Sequence, residues 1–236
     1  MCVLTYLPTL TGFILTNNRD EHISRPRAIP PRRYCLHNRE VYFPKDPRAG
    51  GTWLAASRHL TVCLLNGAFA PHFPQPPYRQ SRGLVVLDRF DFTGTDEFVK
   101  TYPFEGLEPF TLLTFETSGA LAINELRWDG KQLSPAEKDP SQAHIWSSVT
   151  LYSPAVVQTR QGWFADWQQQ YPDFQAEDIW RFHHTGGRGD HKNDLVMERP
   201  NGILTFSVMQ VEKMGETLRL AYQDLQTREE WRYRVL

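Results

Sequence analysis

Cysteine is scarce in this chain: Cys2, Cys35 and Cys63 are the only three among 236 residues. An odd number with no metal-type spacing excludes a disulfide framework and a zinc ribbon, and points to a reducing compartment, the cytoplasm. An excess of positive charge is also missing. Lys and Arg total 26 against 27 Asp and Glu, a formal net charge of −1. No basic field therefore exists to hold nucleic acid or an anionic membrane surface. Long apolar runs are absent as well. Residues 1–20 carry no basic leader and are broken at Pro8, Thr11 and Gly12, which speaks against a signal peptide and against a membrane span. Nothing repeats at a fixed period and no low-complexity linker cuts the chain. The "TGGRG" stretch (185–189) lacks the strand-to-helix setting that a phosphate cradle needs, so no cofactor motif is present.

What the chain does hold is apolar mass. Forty per cent of residues are hydrophobic, enough for a sizeable core, and 236 residues fit one large domain, taken here as 1–236. Two short β-prone runs, 2–7 and 12–18, flank Pro8 to Thr11 and read as a hairpin. A Pro/Arg-rich loop (Arg25 to Arg33) precedes strands near 40–43, 52–57 and 60–66. Four prolines keep 69–81 irregular. Helices are expected at 82–91 and at 95–102, the second capped by Thr95. Further strands are expected at 110–116, 120–127 and 145–150. A helix should run from Pro154 to Tyr171, with Val157, Phe164, Trp167 and Tyr171 on its core face. A second helix near 175–183 precedes strands at 194–198, 203–211, 216–223 and 229–235. Strands, helices, strands, helices and strands in that order predict an α+β layered fold with largely antiparallel sheets.

Chemistry concentrates at two places. The chain begins "MCVLTYLP", and methionine is usually trimmed before a small residue. A terminal Cys2 would carry a thiol and a free α-amine together, with reference pKa values near 8.5 and 8. The neutral amine can take the thiol proton, a self-contained nucleophile and base. The second strand ends in "NNRDE" (17–21), which the hairpin returns to the start of the first strand. There Arg19 would favour the thiolate and Asp20 would orient the amine. On a regular strand Asn18 and Asp20 face one way, and Asn17 and Arg19 the other. An attacked carbonyl also needs oxyanion donors, and Asn66, ending "HLTVCLLNG", is the best-placed amide.

Other candidates read as structure. Cys63 sits between Val62 and Leu64 as a small core residue, and Cys35 follows a polar loop. His183, His184 and His191 gather near Asp190 and Asp194 without regular ligand spacing, so a metal there is the weaker reading. "GGTWLAAS" (50–57) gives a tight turn before a strand, with Trp53 in the core.

The set "MC", "NNRDEHISRP" (17–26), "GGTWLAAS", "LLNG" (64–67) and "SRGL" (81–84) resembles the NRDE family. That family takes its name from the tetrapeptide and includes the transport-and-Golgi-organisation protein of eukaryotes. The resemblance is close over residues 1–90 and loose over 144–212. The family is similar to cysteine N-terminal-nucleophile hydrolases, which include penicillin V acylase and bile salt hydrolase. It implies a four-layer αββα sandwich, Cys2 as nucleophile, Arg19 and Asp20 beside it, and Asn66 near the substrate carbonyl. Relatives carry a Ser-Asn pair where this chain has Ser147 and Ser148 in "IWSSVTLYSP", so Ser148 stands at an expected oxyanion amide. They carry an Arg near His191 in "DHKND", which with Asn18 is assigned to substrate binding.

Two function classes follow. One is hydrolysis of an amide or thioester of a small acyl substrate through an acyl-enzyme on Cys2. The other is non-catalytic carriage of a hydrophobic ligand such as acyl-CoA or haem. The intact Cys2, Arg19, Asp20 and Asn66 favour the first; Ser148 and His191 favour the second.

Overall fold

The computed structural model describes residues 3–235. They form two compact units, one made of the described residues up to 25 together with those from 142 on, and the other of residues 26–141. The first unit opens with β1 (Val3–Thr9) and β2 (Gly12–His22). The second contributes β3 (Ile29–Leu36), β4 (Arg39–Lys45), β5 (Leu54–Ala56), β6 (Leu60–Asn66), α1 (Arg82–Asp88), α2 (Thr95–Thr101), β7 (Phe110–Glu116), β8 (Ala122–Trp128) and β9 (Leu133–Lys138). The chain returns to the first unit through β10 (His144–Ser147), α3 (Pro154–Gln170), α4 (Ala176–Thr185), β11 (Ile203–Met214), β12 (Thr217–Asp224) and β13 (Glu230–Arg234).

In the first unit the sheet order is β10-β1-β2-β11-β12-β13, antiparallel throughout. One face carries α3 and α4. Val3, Leu7 and Ile14 pack there with Phe164, Trp167, Ile179 and Phe182, because odd positions of β1 and even positions of β2 share that side. The other face carries Leu4, Tyr6, Phe13, Leu15, Met209 and Val211, all buried. α3 starts where Ser153 accepts a hydrogen bond from the Val156 amide, with Pro154 in the first turn. Phe164 and Trp167 are buried, and Tyr171 stacks on Trp167. A capping box between Gln175 and Asp178 opens α4.

The second unit is a sheet in the order β3-β4-β5-β6-β7-β8-β9, with antiparallel neighbours, flanked by α1 and α2. Gly51 and Gly83 meet back to back. A Cβ on Gly51 would stand 2.4 Å from the Gly83 carbonyl carbon, and the Thr52 amide donates to Gly83 O at 3.0 Å. The "GGTW" and "SRG" stretches are therefore one packing joint, with Trp53 buried. Arg89, fully buried, pairs with Glu116 and lies over the Phe98 ring.

Several expectations shift. β2 runs four residues beyond 18, through the whole "NNRDEH" stretch. Residues 29–33, within the loop expected from Arg25 to Arg33, belong instead to β3; its Pro30 and Pro31 are tolerated because β3 is an edge strand with a register irregularity between Ile29 and Arg32. Thr95 does not cap α2. Gly94 holds that position, and the Thr95 hydroxyl bonds Glu116 and Thr114 instead. β9 was not foreseen, and 194–198 forms no strand, only the bridge from Glu198 to Leu204. Among the described residues no helix is long and apolar enough to cross a membrane.

Candidate active site

The start of β1 is held on both sides. Val3 pairs with Asn18 on β2 and with Ser147 on β10. Cys2, the residue before it, lies outside the described residues. β2 then carries a continuous polar run, Asn17 to Asp20, that is almost wholly buried. Such a run is stable only where each group is satisfied.

On the helix face, Asn18 and Asp20 each anchor a network. The Asn18 side-chain amide donates to His183 O at 3.0 Å and to Leu195 O at 2.7 Å, and its Oδ1 stands 2.5 Å from His183 Nδ1. The other ring nitrogen of His183 meets the Thr5 hydroxyl at 2.7 Å. Full burial, with His184 and Arg160 nearby, holds the His183 imidazole well below its usual pKa range. Asp20 accepts from the Thr205 hydroxyl at 2.6 Å on Oδ1 and from the Tyr152 hydroxyl on Oδ2. The Asn18 amide is thus occupied by the protein rather than turned to a substrate.

Arg19 takes the opposite face. Its guanidinium lies 5.4 Å from the Phe206 ring centroid and 3.7 Å from Glu21, two residues along the same side. The division is ordinary strand alternation, and a bulge in β11 sets the partners that face it. Thr205 opposes Asp20 and Ser207 opposes Arg19, leaving Phe206 as the extra residue. On a regular strand Thr205 and Ser207 would share a face. The bulge sends Thr205 to Asp20 and leaves Phe206 beside Arg19. Arg19 and Asp20 are therefore neighbours in sequence that serve different sides of one strand.

Ser148 is fully buried one residue beyond β10, its hydroxyl 3.0 Å from that of Thr150. His191 is exposed in the loop after α4, its carbonyl accepting from the Glu198 amide. Asn66 ends β6 in the second unit. Burial pushes the Cys63 thiol up to about 12, and Cys35 is exposed. The histidines do not converge: His184 turns to Trp180 O and Gln223 while His183 enters the network above. Among the described residues no three His, Cys, Asp or Glu side chains gather as a metal site.

Sequence reasoning missed Tyr152, Thr205 and His183 as partners of the polar run. The apolar flanks of "NNRDE" required partners, but these stand 132, 185 and 165 residues away along the chain. Only the Pro-started helix directly after Tyr152 hinted that its position was fixed.

Comparison with known proteins agrees with this architecture. The family described as Transport and Golgi organisation 2 matches residues 1–186. No curated protein matches the chain. Among solved structures the chain is similar to penicillin V acylase from Agrobacterium tumefaciens. The likeness covers 100% of this chain and 86% of the acylase, with a TM-score of 0.55 and 11% identity. Identity that low conveys the fold alone: α+β with largely antiparallel sheets, similar to that of the acylase.

Proposed function

The chain belongs to the Transport and Golgi organisation 2 family, and from that premise we propose that it is a cysteine N-terminal-nucleophile hydrolase acting on an amide or thioester of a small acyl substrate. The observation that carries the reading is the register at Val3, which holds that residue between Asn18 and Ser147. Cys2 is the residue that precedes Val3 in the sequence. Even-numbered side chains of β1 share the face that Arg19 takes, and a buried cation such as Arg19 favours a thiolate.

The proposed chemistry then runs in two halves. The α-amine of Cys2, exposed once Met1 is removed, takes the thiol proton. The thiolate adds to the acyl carbonyl, and the leaving amine or thiol departs with that proton. Water attacks the resulting thioester, releases the acid and restores the thiol. Asp20 orients the amine, and Ser148 is assigned to the oxyanion. An N-acyl amide such as penicillin V is a first assay substrate.

Brief iodoacetamide treatment at neutral pH with peptide mapping tests the nucleophile. Cys2 is expected to label before exposed Cys35 and buried Cys63; prior labelling of Cys35 sinks the activation argument. One observation favours the second reading, a carrier of a hydrophobic acyl ligand: the Ser148 hydroxyl is buried against Thr150. An acyl compound that binds stoichiometrically and is recovered intact, with Cys2 unacylated, decides for the carrier.

A further inference from the structure

One buried aromatic ring on the helix face of the first unit is gripped from several directions. Tyr152 is 4% exposed, and its hydroxyl donates to Asp20. The guanidinium of Arg160 lies 3.8 Å from its ring centroid and that of Arg199 lies 5.2 Å away. Arg160 is fully buried in α3 and directs its donors to backbone carbonyls, reaching Asn193 O at 3.0 Å and Asp194 O at 2.7 Å. Arg199 donates to Leu151 O at 2.9 Å, the residue just before the tyrosine. No carboxylate pairs with Arg160 among the described residues. The buried cation is linked to a carboxylate through the tyrosine itself, its charge on the ring face and Asp20 on the hydroxyl.

A buried guanidinium without a carboxylate partner is costly, and attraction to an aromatic face offsets part of that cost. A cation on the ring also draws electron density from the phenol, which strengthens its hydroxyl as a donor to an anionic acceptor. Thr205 fixes the other Asp20 oxygen, so the carboxylate cannot rotate without losing one bond or the other.

We propose that Tyr152, braced by Arg160, is a positioning residue that fixes the orientation of the Asp20 carboxylate, the group that the N-terminal-nucleophile reading above assigns to the Cys2 α-amine; the proposal rests on that reading. Nothing is transferred through Tyr152. It holds the acceptor that stabilises the ammonium formed when the amine takes the thiol proton. Without that hold the ammonium–thiolate pair is less favourable, and the thiol ionises at higher pH.

The test is the pH–rate profile of Cys2 alkylation in the Met1-processed chain and in Tyr152→Phe. The phenylalanine keeps the ring beneath Arg160 and removes only the hydroxyl, so thermal unfolding checks that the fold survives. Its midpoint is expected to rise by about half a pH unit, roughly a threefold slower reaction at fixed pH below it. Arg160→Lys provides the second arm, retaining the cation while losing the planar stack and the paired donors; a smaller shift in the same direction is expected. A reactive Cys2 whose profile is identical in wild type and Tyr152→Phe overturns the positioning role and leaves the nucleophile standing. A wild-type chain in which Cys2 is no more reactive than Cys35 overturns the nucleophile reading, and this proposal with it.

Discussion

Asn18 and His183 determine each other's chemistry. Two carbonyls take the Asn18 amide hydrogens, so its Oδ1 can only accept, and His183 Nδ1 must carry the proton. The remaining ring nitrogen then accepts from Thr5, and the imidazole is neutral in one tautomer. Burial is the main reason its pKa lies well below 6.5. In the unfolded chain the same imidazole titrates near 6.5. Below that pH the unfolded state binds the extra proton, so this contribution to stability is full above about pH 6.5. It declines as pH falls, by about 1 kcal/mol per pH unit, until the folded imidazole titrates. Urea unfolding at pH 7.5 and pH 5.5 checks it: wild type should lose more stability between the two than His183→Gln, which carries no titrating ring. Equal losses show that the imidazole is not what the lower pH attacks. The sequence placed Asn18 and Asp20 on one face and Arg19 on the other, and the structure keeps that alternation. It could not supply the partners, because Thr205 reaches Asp20 only through a bulge that no local signal in β11 announces.

Strands with clear apolar alternation were legible, and the elements that went astray did so for local reasons. The prolines of β3 read as loop because proline removes a ladder donor, yet an edge strand has no partner on one side to need it. Thr95 resembled a cap, but Glu116 offers its hydroxyl a stronger acceptor. The glycine pairs were read in part: the sequence offered a tight turn before a strand, and the structure adds the close approach of Gly51 to Gly83. Gly51→Ala forces a Cβ to 2.4 Å from the Gly83 backbone, and Gly83→Ala brings one to 2.9 Å from Thr52 O. Backbone on both sides cannot yield as a side-chain tip can, so Gly51→Ala should cost at least the usual overpacking penalty of about 1–3 kcal/mol. Gly162, within α3 and with open space around it, is the control. Its replacement by alanine should stabilise by roughly 0.5–1 kcal/mol. Denaturant midpoints for the three variants give the ranking; a Gly51→Ala protein as stable as wild type removes the joint.

At the scale of the whole chain, the first unit is assembled from the described residues up to 25 and those from 142 on, with the second unit inserted between them. The first boundary falls at the start of the Pro/Arg-rich stretch and the second in the turn after β9, and neither is a low-complexity linker that would mark a division. What the assembly does is make β1 an interior strand, flanked by β2 and β10. Interior pairing secures Val3 to Thr9 whatever precedes them, and this separates stability from chemistry in one experiment. An uncleavable Gly-Ser extension on Cys2 turns its α-amine into an amide, which cannot serve as a base. The extension adds residues ahead of β1 and removes none of the contacts made by Val3, Leu4 or Tyr6, so the melting temperature should stay within a few degrees. Cys2 alkylation at neutral pH should fall toward the rate of an unassisted thiol, and acyl transfer to water should cease. Binding of an acyl ligand by a carrier would weaken only through crowding at the chain start. If the tagged protein turns over an acyl substrate as fast as the processed form, the amine is not the base and the N-terminal nucleophile is excluded.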